Sequence, residues 1–141
     1  MSVKPEILPQ RDSHFSWLRT RLSIERTMTS WMRTATAMIG FGFTIFQFFD
    51  RLNSMEGVAP ARHPTAILIV SLSLVAIGSI GLVVAMIEYR RGLRYLWSPE
   101  FRDIAGMEKE PITTPTLSAA LLLAFVGILT FGTLVWRTTG F

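Results

Sequence analysis

Three uncharged or nearly uncharged blocks of about 20 residues dominate the chain, separated by segments that hold almost all of its charge. The first, Trp31 to Phe49, contains one charge, Arg33; the second, Ala66 to Ile87, and the third, Thr116 to Trp136, contain none. At roughly 1.5 Å rise per residue, a helix of that length covers a hydrocarbon core of roughly 30 Å. A soluble domain of 141 residues would spread its apolar half as periodic stripes on amphipathic elements. Segregation into blocks predicts an all-α integral membrane protein with three transmembrane helices, spans 31–49, 66–87 and 116–136, in one membrane domain over 31–141.

The first thirty residues are polar and charged, with no apolar core segment, so no signal peptide is expected. Arginine and lysine placement sets the expected orientation. Eleven of the fourteen lie before or just inside the first block, or between the second and third: Lys4, Arg11, Arg19, Arg21, Arg26, Arg33, Arg90, Arg91, Arg94, Arg102 and Lys109. Arg51, Arg62 and Arg137 lie on the other side. The N-terminus and second loop are therefore expected in the cytoplasm, and the C-terminus outside or in the periplasm, in a cell (inner) membrane.

Residues 1–11, with Pro5 and Pro9, are expected to be disordered. From Asp12 the pattern turns helical, with Trp17, Ile24, Met28, Trp31 and Ala35 on one face. No Pro or Gly interrupts Ser13 to Ile39, so the first membrane helix is expected to begin in the cytoplasm as an amphipathic extension within the segment 1–30. Asp50 to Pro64 reads as a plain loop. Tyr89, Leu93, Leu96 and Trp97 carry a helical stripe past the second block. Ser98-Pro99-Glu100 predicts a short helix bearing Phe101 and Ile104, and Thr114-Pro115 a capped start to the third span.

On a wheel of about 100° per residue, Arg26, Thr29, Arg33, Thr36, Gly40, Thr44 and Gln47 share a sector roughly 80° wide. Met28, Trp31, Ala35, Phe46 and Phe49 lie opposite. Polar groups in hydrocarbon are costly, so this stripe is expected to face protein or water. Arg33 alone fits two readings, snorkelling to the headgroups or projecting into a protein interior; extension of the stripe to Gln47 favours the interior. Arg26, Arg33, Thr29, Thr36 and Gln47 are thus the candidate anion-binding or pore-lining residues.

The second block presents Ser71, Gly78, Gly81 and Ala85 on a face suited to close approach, ending at Glu88. Glu88 is expected level with Arg26 and Arg33, paired with one of them within a subunit or across to a neighbour; a solvated pair with Arg91 is the alternative. Glu25 is a second candidate for charge pairing. Gly127 and Ala124 form a small packing patch on the third block.

Leu22-x-x-Glu25-Arg26-Thr27-x-x-x-Trp31-x-Arg33-Thr34 followed by three spans resembles the YidH family of small bacterial inner-membrane proteins (domain of unknown function 202). Thr29 stands where the family has leucine. The module also resembles the membrane part of the eukaryotic vacuolar transporter chaperone, which makes polyphosphate and passes it across a membrane. The resemblance implies that Arg26 and Arg33 correspond to basic residues lining an anion path in an oligomer. The chaperone's polymerase and phosphate-sensing domains have no counterpart in this chain.

The chain has no cysteine, and His14 and His63 are isolated and expected on opposite sides of the membrane, so no metal site, cofactor or enzymatic activity is expected. Nucleic acid is not an expected partner, because the basic residues would lie against lipid. The expected function is a homo-oligomeric anion-binding or anion-conducting module favouring phosphate-type polyanions such as polyphosphate. The alternative is a structural or accessory subunit stabilising a partner membrane protein. Binding of anionic lipid by the basic surface is a further possibility.

Overall fold

The structure, a computed structural model, describes residues 7–55, 57, 64–99 and 114–139. They form three helices in antiparallel sequence: α1 (Ile7–Asn53), α2 (Pro64–Leu96) and α3 (Pro115–Thr139). α1 and α2 form the most extensive pair, and α3 packs on both.

α1 is longer at both ends than the sequence pattern suggests. Residues 7–11 are helical rather than disordered. Pro9 falls in the first turn, where backbone N–H groups have no intrahelical partner and proline is tolerated. At the other end the helix absorbs Asp50 to Asn53, the start of the expected loop. It closes through a tightened turn, with Ser54 N donating to Arg51 O and Met55 N to Leu52 O. α2 begins at a proline, and so does α3, where Thr114 O accepts from Leu117 N and Ser118 N as a helix start requires. The short helix expected after Ser98 lies, beyond Pro99, outside the described residues.

The buried face of α1 is the apolar one: Trp17, Met28, Ala35 and Ile39 point at the other two helices. Small residues set the spacing of α1 against α2. A Cβ on Gly42 would lie 2.8 Å from the Ser71 carbonyl oxygen and 2.8 Å from Val75 Cγ2, and one on Gly78 would lie 3.2 Å from the Ala35 carbonyl oxygen. The expected small face of α2 is thus the packing face, with Ser71, Gly78 and Ala85 buried. Ala124 and Gly127 are buried on α3 as packing residues, Gly127 against Ser79 and Ile39. Ser71 and Ser79 hydroxyls are buried without a hydrogen-bond partner among the described residues, against the usual habit of satisfied hydroxyls.

Polar contacts tie the bundle at both ends. At the end holding the N-terminal half of α1, Trp17 Nε1 donates to the Leu96 carbonyl over 3.0 Å, and its ring meets Trp97 edge-on at 5.5 Å. Arg21 lies over the same ring, 5.7 Å from its centroid. At the far end Arg137 pairs with Asp50 at 2.6 Å.

α2 and α3 are long and apolar enough to cross a membrane, and only 22% of the apolar window of each is buried. A core helix of a soluble protein would be mostly enclosed; these turn Ile69, Ile77, Ile80, Leu122, Phe125 and Ile128 outward. α1 is long enough but not apolar enough. Arg33, Gln47 and the threonines at 34, 36 and 44 dilute the block that was expected to supply the first span.

Candidate functional site

The polar stripe of α1 faces away from its own bundle. Arg26, Thr29, Arg33, Thr36, Gly40 and Thr44 are exposed and Gln47 is half-buried, on the side of α1 opposite Met28, Ala35 and Ile39. A Cβ on Gly40 would meet nothing within 4 Å. α2 and α3 therefore do not cover this face.

The hydroxyls of the stripe are satisfied locally. Thr29 donates to Glu25 O at 2.9 Å, Thr36 to Met32 O at 2.8 Å and Thr44 to Gly40 O at 2.8 Å, each one turn back along the helix. Such threonines can sit in an apolar setting without a second helix. Arg26, Arg33 and Gln47 are different: among the described residues none has a hydrogen bond or ion pair. The need for a partner is concentrated in two guanidinium groups and one amide.

Helix register places Arg33 deeper than its position in the sequence block implies. The Trp31 ring comes within 3.4 Å of a Cβ built on Gly81. Gly81 is seven residues into the uncharged run of α2 counted from Glu88, about 10 Å along the axis. Because α1 and α2 are antiparallel, Arg33 lies no shallower than that. A Cβ on Gly92 would meet Ile24 at 3.1 Å, and Glu88, one turn nearer the middle of α2, lines a groove between the helices with Ser23, Thr27 and Trp31. Glu88 is therefore near the height of Arg26 but not of Arg33, whereas it was expected level with both. Within the chain it pairs with neither, nor with Arg91, among the described residues; its side chain is exposed.

Among the described residues Glu25 is held by a hydroxyl and by no arginine. Its Oε1 accepts from Thr116 Oγ1 at 2.9 Å, at the first turn of α3, where the helix dipole favours a carboxylate. Beside it Tyr89 donates to Thr114 Oγ1 at 3.2 Å, so the start of α3 is fastened to both other helices. Sequence reasoning missed this junction and the Asp50–Arg137 pair. The second had a usable signal, since the expected topology puts both residues at the same end of the bundle. No cluster of three or more metal-ligating side chains occurs among the described residues.

Outward-facing apolar helices of bilayer length, in a bundle whose third member carries an uncovered basic stripe, define an all-helical membrane module. The chain belongs to the DUF202 family: the family model, described as a domain of unknown function, matches residues 16–95. The match spans most of α1 and nearly all of α2, and so includes Trp17, the Glu25–Arg26 motif and Glu88, but neither the Leu96 and Trp97 partners of Trp17 nor α3. No curated protein and no solved structure matches the chain. The further likeness to the vacuolar transporter chaperone has no counterpart in these comparisons.

Proposed function

We propose that the chain assembles with copies of itself in the cell (inner) membrane, as an anion-binding or anion-conducting module whose α1 faces meet around a common axis. In this reading α1 is the first of three spans, the N-terminus is cytoplasmic and the C-terminus external. The α1 span is supported by its polar ties along α3: Glu25 meets Thr116 at one end of α3 and Asp50 meets Arg137 at the other. A helix held along the full length of a bilayer-spanning neighbour crosses the same thickness.

The carrying observation is the outward placement of Arg26 and Arg33 on α1, with no partner among the described residues. Charged groups left to hydrocarbon are expensive, and three helices are too few to enclose a path within one chain. Several copies placing this face on an axis would bring the arginines into two rings about 10 Å apart. Rings of like charge repel, so a polyanion is the natural occupant, with phosphate-type polymers such as polyphosphate favoured. Gly40, with open space before it, lets a second helix approach at mid-span.

That same open position also serves the rival reading, an accessory subunit that lays α1 against a different membrane protein. Purification of the chain alone separates the two. A closed homo-oligomer supports the module; a monomer that is recovered as an oligomer only together with another membrane protein supports the accessory role.

A further inference from the structure

We propose that the groove between α1 and α2 at Glu88 binds the headgroup of a phospholipid carrying a primary ammonium, of the ethanolamine type. The groove has a volume of about 190 Å³ and is lined by Ser23, Thr27, Trp31, Glu88 and Tyr89 above an apolar floor that includes Ala85. Glu88 is the first charge after the uncharged run of α2, so its carboxylate stands at the height where headgroups are concentrated. It has no cationic partner among the described residues.

The chemistry of the lining selects an N–H cation. Thr27, which lines the groove, donates its own proton to Ser23 O at 3.0 Å, so its hydroxyl oxygen is left with acceptor capacity only. A primary ammonium offers three donors, enough for the carboxylate and for that hydroxyl oxygen together. The aromatic walls of Trp31 and Tyr89 attract a cation in addition. Val84, Ile77 and Val70 continue the Glu88 face of α2 at helical spacing and are exposed, giving an acyl chain a track along the span. A lipid, and not a free amine, is the molecule that satisfies both the groove and this apolar track.

The test is native mass spectrometry of the full chain in detergent, supplied with equal amounts of phosphatidylethanolamine, phosphatidylcholine and phosphatidylglycerol. Wild type should retain phosphatidylethanolamine preferentially. Glu88→Gln should lose that preference, and Thr27→Val, which removes the acceptor without changing charge, should weaken it. Arg33→Ala should keep it, because Arg33 lies deeper and on another face; this separates the lipid site from the proposed anion path. The proposal is overturned if wild type retains the three lipids equally or prefers another, or if Glu88→Gln keeps the preference. An arginine from a second copy is the other cation that could reach Glu88. In that case Glu88→Gln would dissociate the oligomer with lipid preference unchanged, which also overturns it. Should Glu88→Gln fail to fold, Thr27→Val decides, an unchanged preference counting against the site.

Discussion

Asp50 and Arg137, 87 residues apart in sequence, meet at 2.6 Å and join the last turn region of α1 to the end of α3. The pair is partly solvated, so it contributes at most about 1 kcal/mol. Its value is topological, since it fixes the ends of α1 and α3 on one side of the bundle.

From that placement, single cysteines introduced at Ser54 and Thr139 should label with an impermeant thiol reagent in intact cells, while one at Ser16 should label only after permeabilisation. Labelling at Ser16 in intact cells would reverse the proposed orientation. Identical behaviour of Ser16 and Ser54 would remove α1 as a span.

The Glu25–Thr116 contact is the polar tie between α1 and the start of α3. Thr116→Val leaves a half-buried carboxylate short of a donor and should cost about 1.5–3 kcal/mol, the range for hydrogen bonds to charged groups. Glu25→Gln keeps an acceptor and should cost less. Thermal melts of the two single variants and the double variant in detergent should show coupling, the double costing less than the sum. Additive losses would mean that the two side chains act independently.

Two glycines two residues apart should behave oppositely. Gly42→Ala forces a Cβ against the Ser71 carbonyl and Val75, and should destabilise the bundle by about 1–3 kcal/mol. Gly40→Ala meets open space and should stabilise the single chain by about 0.5–1 kcal/mol through the reduced entropy of the unfolded state. If copies pack at Gly40, the same change should lower the oligomeric fraction measured by size-exclusion chromatography with light scattering. An unchanged oligomer would place the contact elsewhere.

Much of this architecture is legible in the sequence because it depends on local periodicity. The apolar blocks locate α2 and α3, Thr114-Pro115 marks the start of α3, and the spacing of Trp17, Met28 and Ala35 identifies the buried side of α1. The small face of α2 was readable for the same reason. A helical wheel gives a face but not the neighbour that covers it or the register against that neighbour. Hence Glu88 was expected to pair with Arg26 or Arg33, within a subunit or across to a neighbour, while no described residue of its own chain pairs with it, and Arg33 was placed too shallow. Trp17 donating to Leu96 and Glu25 accepting from Thr116 join residues 79 and 91 positions apart, which no periodicity encodes. The threonines were read simply as polar, whereas their hydroxyls bond the preceding turn and leave Arg26, Arg33 and Gln47 as the groups in need of a partner.

The outward basic face of α1 is tested most directly by the thermal response of the purified oligomer to polyphosphate. Wild type should be stabilised in a salt-dependent manner, by about 2.7 kcal/mol at a hundredfold excess over the dissociation constant. Arg33→Ala should abolish the response, whereas Arg94→Ala, which removes an exposed arginine from the last turn of α2, should leave it intact. Equal shifts in both variants, or no shift in wild type, would contradict an anion site on α1 and leave the accessory role as the better account.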